Sequence, residues 1–440
     1  MTGFAGNGRL AAVALAAALT ACGGGGGSAS SGSASCDVAS QNAWLRGYMR
    51  DWYFWASVAP NPDPAGYTTV QDYFNALLYP GDTVVPKDRW SYIEDSARYN
   101  QFFGEGKTLG YGMSVNGLEL TLPLKVRYVD PGSPAATAGL KRGDVIDSIN
   151  GRTSAELIAA NDFAALTPGQ AGDVLTVVIE TAGGTKTVAL TATTYDLVPV
   201  PTSTVVTLGN GTKAGYLVLK DFITQAETPL ANALAQFRAA GATELIVDLR
   251  YNGGGRVSTA TLLASLISGA GRNGQVFARL TYNAQHSGSN NAFTLSTEPG
   301  PAFARVVVIT GTRTCSASEL LVNGLKPYAD VVTIGGTTCG KPFGFNPVES
   351  CGSTYSVVNF ETVNALGDGR YYSGIAATCP VSDDFSGELG DPSEKLTAAA
   401  ESYLQTGVCP PPGVAAQSSP FGRKRGFTAH PGDRIGRRME

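Results

Sequence analysis

The sequence predicts a multidomain α+β protein: a helical N-terminal region, a β-rich middle domain and an α/β core. Three observations lead to this fold class. Residues 36–106 have helical spacing and hold all four tryptophans. Residues 107–197 form short β-rich runs between turn signals, and from Gly215 strand and helix patterns alternate. With 440 residues, 43% of them hydrophobic, the chain is long enough for two or three cored domains.

Residues 1–21 have the features of a cleaved leader. After Arg9 an apolar run extends from Leu10 to Leu19, which is about half the length of a bilayer-spanning helix. The run ends in Leu-Thr-Ala-Cys at Cys22 and resembles the lipobox of bacterial lipoproteins, whose cysteine is acylated. The alternative is an ordinary leader with an incidental cysteine. Residues 22–35, mostly Gly, Ser and Ala, are predicted to be a flexible tether.

The lipobox resemblance also implies a location. It predicts an exported protein that is anchored to the bacterial cell envelope through lipid at Cys22. Gly23 follows that cysteine, where an Asp would favour retention in the inner membrane, so we expect the periplasmic face of the outer membrane.

Six cysteines follow Cys22, an even number in a chain predicted to be exported. Such a count indicates up to three disulfides, with 15 possible pairings. The candidates are Cys36, Cys315, Cys339, Cys351, Cys379 and Cys409. No two of them form a CxxC pair, and the only histidines are His286 and His430, so the sequence predicts no metal site and no other cofactor.

The middle domain contains a long motif. Residues 129–151, VDPGSPAATAGLKRGDVIDSING, resemble the centre of a PDZ domain. The resemblance implies that a peptide C-terminus binds just before this motif, with Gly110, Tyr111, Gly112 and Met113 as the carboxylate-binding loop. Glycine-rich backbone leaves N–H groups accessible to a carboxylate, and a sheet edge can add the peptide as a strand. The alternative is a PDZ fold used only as a spacer.

The alternating pattern predicts a layer of parallel strands and helices within residues 198–409. Beyond Pro410 the chain is rich in proline and then in basic residues, so residues 410–440 are predicted to be a disordered tail. The predicted strands are 244–249, 276–281, 305–310 and 331–334, and the predicted helices are 257–268 and 316–326.

Ligands of parallel sheets gather beyond the carboxyl ends of the strands. Three predicted strands end in a glycine-rich segment from Arg250 to Gly255, in a segment that reaches Ser316, and in a segment that reaches Lys341. If these strands are neighbours, the three segments meet at one edge of the sheet.

Ser316 and Lys341 suit nucleophilic catalysis. Ser316 followed by Glu319 is a capping-box signature, so Ser316 could simply cap a helix. A helix N-terminus, however, also stabilises a developing oxyanion. Since histidine is scarce, a lysine with a lowered pKa is the candidate base. The alternative for Lys341 is an ordinary surface charge.

These motifs resemble the tail-specific (C-terminal processing) serine peptidases. The matching motifs are DLRYNGGG at 248–255, SASE at 316–319, and GK at 340–341. The resemblance implies a crotonase-like catalytic core and an endopeptidase that recognises exported proteins or peptides by their C-termini. It makes Ser316 the nucleophile and Lys341 the general base, with backbone amides of Gly253, Gly254 and Ala317 as oxyanion donors.

One position departs from the family. Many members have Gln or Glu four residues after the lysine, where this chain has Phe345. The departure leaves open a second function, a non-catalytic peptide-binding lipoprotein on the same scaffold. If Cys315 and Cys339 were paired, they would join the two loops that bear Ser316 and Lys341.

Two other classes of partner are disfavoured. Residues 335–341 fit the GxxxxGK part of a nucleotide-binding P-loop, but Pro342 stands where a Ser or Thr would bind Mg²⁺. The net charge is −4, and basic residues are concentrated in the tail after Arg423, so nucleic acid is an improbable partner as well.

Overall fold

A computed structural model describes residues 35–119 and 121–411 of the protein. The predicted leader, Cys22, most of the tether and residues 412–440 lie outside the described residues. Among the described helices, none combines the length and apolarity needed to cross a membrane.

The N-terminal region is mainly helical, as predicted. Asp37 begins the first helix by accepting a hydrogen bond from the Ser40 amide at 2.8 Å. An aromatic core forms between these helices and the segment that follows Lys341, and it includes Trp55, Trp90 and Phe343. The elements are α1 Val38–Trp52, α2 Val70–Leu77, β1 Tyr92–Asp95 and α3 Ser96–Phe103.

The middle domain is a small β-structure with its own core. Its first and last strands pair antiparallel, Lys107 with Asp196, so the domain begins and ends at one place. The helix that begins at Ser154 ends before Asn161, whose φ is 49°, and a 3₁₀ turn, Ala164–Leu166, follows. The elements are β2 Lys107–Gly110, β3 Met113–Val115, β4 Val126–Val129, α4 Pro134–Thr137, β5 Ile146–Ile149, β6 Arg152–Thr153, α5 Ser154–Ala160, β7 Val174–Thr181, β8 Gly184–Thr191 and β9 Thr193–Asp196.

The third region contains the remaining helices and strands. They are β10 Thr202–Thr207, β11 Lys213–Val218, α6 Glu227–Ala239, β12 Glu244–Asp248, α7 Val257–Ser268, β13 Val276–Tyr282, β14 Asn291–Thr294, β15 Arg305–Thr310, α8 Ala317–Leu325, β16 Asp330–Gly335, β17 Phe343–Phe345, β18 Val348–Ser350, β19 Ser353–Ser356, β20 Val358–Val363, β21 Cys379–Pro380 and α9 Lys395–Thr406. The other 3₁₀ turns of the described chain are Pro64–Gly66, Asn116–Glu119, Thr224–Ala226, Ala270–Arg272 and Ala284–Ser289.

The core of this region is a six-stranded sheet in the order β10-β11-β12-β15-β16-β21. All neighbouring strands run parallel except β10 and β11. Successive side chains of a strand point to opposite faces, and here both faces are apolar. Leu245 and Val247 pack under α6, α7 and α8, whereas Ile246 packs under α9. The three predicted strands β12, β15 and β16 are therefore adjacent and parallel, as the sequence required.

One predicted strand belongs elsewhere. The strand at 276–281 forms as β13, but it lies in a second, antiparallel sheet in the order β14-β13-β20-β17. Its alternating burial fits a sheet with one face exposed, whereas the strands of the parallel sheet are buried on both faces. This second sheet includes β17, which begins two residues after Lys341.

All six candidate cysteines are paired in the structure. The bonds are Cys36–Cys351, Cys315–Cys339 and Cys379–Cys409. The second bond joins the segments that follow β15 and β16.

Candidate active site

The segments after β12, β15 and β16 meet at the carboxyl edge of the parallel sheet. The Thr314 hydroxyl donates to the carbonyl of Leu249 at 2.7 Å, and the Cys339 amide donates to the carbonyl of Thr314 at 3.0 Å. Asn252 joins the first two segments, because its carbonyl accepts from the Cys315 amide at 3.1 Å. The sheet therefore holds all three predicted segments together.

Ser316 lies at the junction between the segment after β15 and helix α8. It is fully buried, and its φ of 59° with a ψ of −116° is rare for a residue other than glycine. Its hydroxyl oxygen has no hydrogen-bond partner among the described residues. A serine on a strained turn between a strand and a helix is typical of nucleophile elbows.

Glu319 connects the serine segment to the lysine segment. Its carboxylate accepts hydrogen bonds from the amides of Ser316 at 2.9 Å, Gly340 at 2.8 Å and Lys341 at 2.8 Å, and from the hydroxyl of Thr338. The sequence predicted only the first of these, as a helix cap. Burial raises the pKa of Glu319, although the four hydrogen bonds lower it in part.

Lys341 is fully buried. Its ammonium nitrogen lies 3.8 Å from the centroid of the Phe345 ring, which is also buried. The Phe345 ring therefore covers one side of the Lys341 nitrogen. The alternative that Lys341 is an ordinary surface charge is therefore wrong.

The backbone turn just before Lys341 requires a glycine at position 340. Its φ is 85°, and a Cβ atom at this position would lie 2.3 Å from the Tyr372 carbonyl oxygen. The Cys315–Cys339 disulfide also ties the segment that precedes Lys341 to the segment that precedes Ser316, with a Cα–Cα distance of 5.2 Å. Cys315 directly precedes Ser316, so the bond holds the two segments close together.

The predicted oxyanion donors differ in availability. The Gly254 amide donates to the side-chain oxygen of Asn252 at 2.8 Å, so it is engaged within its own loop. For the amides of Gly253 and Ala317, the described part of the chain offers no hydrogen-bond partner. Ala317 is the first residue of α8, where helical amides are normally left unpaired.

The predicted carboxylate loop lies between β2 and β3. Gly112 has a φ of 78°, and a Cβ atom there would lie 1.9 Å from Cβ of Ser133, so only glycine fits. The Tyr111 carbonyl accepts from the Ala135 amide at 2.9 Å, which anchors the loop to α4. Strand β3 pairs with β4 on one side only within the described residues, so its other edge is open to an added strand.

The described histidine is engaged away from this edge. His286 stacks on Trp52 with the ring centroids 3.5 Å apart, and its ring nitrogen lies 2.9 Å from the Asp51 carboxylate. His430 lies outside the described residues.

Within the described part of the chain, two clusters have the composition of metal ligands. In the first, Cys315 and Cys339 flank Glu319, but the two sulfurs are bonded to each other. In the second, Asp383 lies 2.6 Å from the guanidinium of Arg142, and Glu394 lies 2.7 Å from that of Arg250. These cations already pair with two of the three acidic groups, Asp383 and Glu394, and the third is Asp384.

No pattern in the sequence indicated the network that joins the middle domain to the core. Arg142 of the middle domain donates to the carbonyl of Arg127 at 2.9 Å and to the hydroxyl of Tyr251, and Tyr251 in turn donates to Asp383. Tyr251 lies inside the DLRYNGGG motif, between Arg250 and the glycines. Such a contact depends on how two domains pack, which local pattern does not reveal.

A helical N-terminal region, a PDZ-like domain and this α/β core together define the class of PDZ-containing peptidases. The family models agree: residues 40–92 match the Peptidase S41 N-terminal domain, 125–181 a PDZ domain, and 213–365 Peptidase family S41. The chain belongs to peptidase family S41, as the motifs predicted. That it is a lipoprotein stays a prediction.

Curated relatives are similar over much of the chain. A carboxyl-terminal-processing protease of Picosynechococcus sp. is 28% identical over 274 residues, which are 60% of this chain and 62% of the relative. One of Synechocystis sp. is 25% identical over 327 residues, 73% of this chain and 71% of the relative. The chain therefore spans about two thirds of the length of these relatives.

A solved structure has the same fold. A protein from Bacteroides fragilis, described as an S41 protease, superposes with a TM-score of 0.66 at 25% identity. The match covers 83% of this chain and 98% of that protein.

Proposed function

We propose that this protein is a serine endopeptidase that cleaves exported proteins or peptides, which its PDZ-like domain recognises by their C-termini. Ser316 is the nucleophile and Lys341 is the general base. The observation that supports this most directly is that the amides of both residues bind one carboxylate, that of Glu319. Two segments separated along the chain are thereby held at one point.

The reaction begins with a proton transfer. Lys341, as a neutral amine, takes the hydroxyl proton of Ser316 while the serine oxygen attacks the carbonyl carbon of the scissile peptide bond. The negative charge passes to the carbonyl oxygen, where amides of Gly253 and Ala317 donate hydrogen bonds. The C–N bond then breaks, and the lysine ammonium gives its proton to the leaving amine.

Hydrolysis of the acyl-enzyme completes the cycle. Lys341 removes a proton from a water molecule, the resulting hydroxide attacks the ester carbon, and Ser316 leaves with the proton returned. Burial of Lys341 supports this role, because an amine removed from water loses its preference for the charged form. The Ser316 hydroxyl has no hydrogen-bond partner among the described residues, so the proton transfer requires the Lys341 amine to approach it when the substrate binds.

Peptide docking is proposed for the open edge of β3 and for the loop Gly110–Met113. We further propose export and lipid anchoring at Cys22, which rest on the sequence motif alone. A non-catalytic binding protein is the competing function, because Phe345 replaces the family's polar residue.

Ser316→Ala and Lys341→Ala variants test the proposal with casein or a labelled peptide as substrate. We expect both to lose cleavage almost completely while binding the peptide with unchanged affinity. Ser268→Ala is the matched control, because Ser268 is another buried serine whose hydroxyl has no partner among the described residues. Peptide binding without cleavage by the parent would instead favour the binding protein, and cleavage by Ser316→Ala at the rate of the parent would show that Ser316 is not the nucleophile.

A further inference from the structure

Tyr371 carries a buried hydroxyl close to the proposed dyad. Its oxygen has no hydrogen-bond partner among the described residues. Buried tyrosine hydroxyls normally find a partner, because an unpaired one is unfavourable. The Ser316 hydroxyl is in the same condition. A group that reaches both hydroxyls in another state of the protein would explain why neither is paired here.

The segment that contains Tyr371 packs on the segment that leads to Lys341. A Cβ atom on Gly340 would lie 2.3 Å from the carbonyl oxygen of Tyr372. The two backbones therefore touch one residue before Lys341 and one residue after Tyr371. The Gly374 amide donates to the Tyr371 carbonyl at 2.8 Å, which closes the turn after the tyrosine. Backbone contacts thus hold Tyr371 beside the lysine segment.

Two neighbours locate the Tyr371 hydroxyl. Burial raises the pKa of Tyr371 well above 10, the Glu319 carboxylate raises it further, and the Thr362 hydroxyl lowers it in part. Glu319 accepts from the Lys341 amide at 2.8 Å. Thr362 donates to the carbonyl of Pro342 twice, from its amide at 2.8 Å and from its hydroxyl at 3.1 Å. The Tyr371 hydroxyl therefore lies close to two groups that bind the backbone on either side of the proposed base.

The positions of the protons decide what the Tyr371 hydroxyl can do. The Thr362 hydroxyl uses its proton on the Pro342 carbonyl, so toward Tyr371 it can only accept. Tyr371 keeps its own proton at neutral pH, because its pKa lies well above 10, and it can donate that proton to Thr362. The lone pairs of the tyrosine oxygen then remain to accept from an N–H group.

The Lys341 amine has the donors that this oxygen needs. A neutral amine has one lone pair, which takes the Ser316 proton, and two N–H groups. An amine that accepts from Ser316 can therefore donate to Tyr371 at the same time. One movement of the lysine side chain would give both buried hydroxyls a partner. Phe345 covers another side of the nitrogen, and its ring has no hydrogen-bonding group that could take this role.

We propose that Tyr371 is a positioning residue for Lys341. In the substrate-bound protein, the Tyr371 hydroxyl accepts a hydrogen bond from the lysine amine and thereby turns the lone pair of the nitrogen toward Ser316. This inference rests on the proposed function and names a further residue of the same site.

The test compares Tyr371→Phe with Tyr355→Phe in the full-length chain. Each substitution removes only a hydroxyl, and both hydroxyls are buried without a partner among the described residues. Tyr355, whose ring packs against Trp44 of α1, is the matched control. With the labelled peptide as substrate, we expect Tyr371→Phe to lower kcat about tenfold, the effect of one hydrogen bond to a charged group, with KM unchanged. Tyr355→Phe should keep the kcat and the KM of the parent.

The pH–rate profile separates positioning of the base from a loss of stability. An acceptor at the nitrogen favours the ammonium form of Lys341, so its removal in Tyr371→Phe should move the acidic limb of kcat down by about one pH unit. A variant that is only less stable would keep the limb in place. Both tyrosine variants retain the charged groups around Tyr371, which are Glu319, Glu361, Arg89 and Arg370.

Three results would overturn the inference. They are a Tyr371→Phe variant with the kcat of the parent, a lowered kcat with an unshifted limb, and equal losses in both tyrosine variants.

Labelling of Ser316 by a fluorophosphonate probe distinguishes these results from failure of the proposed function, because labelling needs the base but no peptide. The serine oxygen bonds to phosphorus, fluoride leaves, and the hydroxyl proton passes to Lys341. Peptide cleavage by the parent, with equal labelling of the parent and Tyr371→Phe, removes the inference and leaves the peptidase. Labelling that is about tenfold slower in Tyr371→Phe, without peptide cleavage by the parent, removes the peptidase and leaves the inference. A parent chain that neither cleaves peptides nor reacts with the probe removes both.

Discussion

The amide of Lys341 donates to a carboxylate oxygen of Glu319 at 2.8 Å, and the amide of Ser316 reaches the same oxygen at 2.9 Å. The other oxygen accepts from the Gly340 amide and the Thr338 hydroxyl. Each of the two carboxylate oxygens of Glu319 therefore accepts two hydrogen bonds. Glu319 acts as a positioning residue, because it holds the backbone on both sides of the proposed dyad.

Glu319→Gln should damage activity more than a conservative change normally does. One of the oxygens becomes an NH₂ group that faces two donors, so two hydrogen bonds are lost and the segments separate. We expect kcat to fall about 100-fold, the scale of a 1 Å misplacement, with KM unchanged. Steady-state kinetics measure this. Glu156→Gln is the control, since Glu156 completes a capping box on exposed α5 and should leave kcat intact. Equal kcat values for parent and Glu319→Gln would contradict the positioning role.

The sequence predicted the positions of these segments well, because each depends on local pattern. The strands β12, β15 and β16 are runs of Val, Ile and Leu buried on both faces, and their shared edge follows from parallel pairing. The hydrogen bond from the Lys341 amide to Glu319 could not be predicted. The two residues are 22 positions apart, and their contact depends on how two loops fold. The assignment of β13 to a second sheet depends on tertiary packing in the same way.

The Cys315–Cys339 disulfide should support activity as well as stability. It closes a loop with a sequence separation of 24 residues, for which loop entropy gives about 3 kcal/mol. Replacement of both cysteines by alanine should lower the free energy of unfolding by that order and should also lower kcat, because Ser316 and Lys341 flank the bond. Urea unfolding and peptide cleavage measure the two effects.

Cys36–Cys351 provides the control for this prediction. The bond has a sequence separation of 315 residues and joins the start of α1 to the turn between β18 and β19. Its double alanine variant should lose stability but keep the kcat of the parent when folded. A similar loss of kcat in both double variants would mean that the disulfide next to the dyad has no special role.

Phe345 should tune the basicity of Lys341. The ring lies 3.8 Å from the lysine nitrogen and favours the ammonium form by a cation–π interaction. Phe345→Leu keeps an apolar side chain but removes this interaction, which is worth about 1 kcal/mol, so the acidic limb of the pH–rate profile should move down by about one pH unit. Phe343→Leu, in the same strand, is the control and should leave the profile in place. An unshifted limb in Phe345→Leu would show that the ring does not influence the base.

Stability should depend on pH in opposite ways through two carboxylates, the fully buried Glu319 and the partly buried Asp383. Burial raises the pKa of Glu319 above its ordinary 4.5, so the folded state binds more protons than the unfolded state just above pH 4.5. Its contribution to stability is therefore complete below pH 4.5 and is lost as the pH rises through the folded pKa. In Asp383, burial raises the pKa, but the guanidinium groups of Arg142 and Arg250 outweigh it and hold the pKa below 3.8. Its contribution is present above pH 3.8 and is lost as the pH falls.

Melting temperatures measured from pH 3 to pH 8 separate the two effects. Relative to the parent, Glu319→Gln should lose less stability as the pH rises above 4.5, because the variant has no proton to release. Asp383→Asn should lose stability at neutral pH, and its difference from the parent should shrink only as the pH falls below 3.8, where the parent's carboxylate takes up its proton. Parallel curves for the parent and Glu319→Gln above pH 4.5 would mean that Glu319 is already ionised in the folded protein at that pH, and that its four hydrogen bonds prevail over burial.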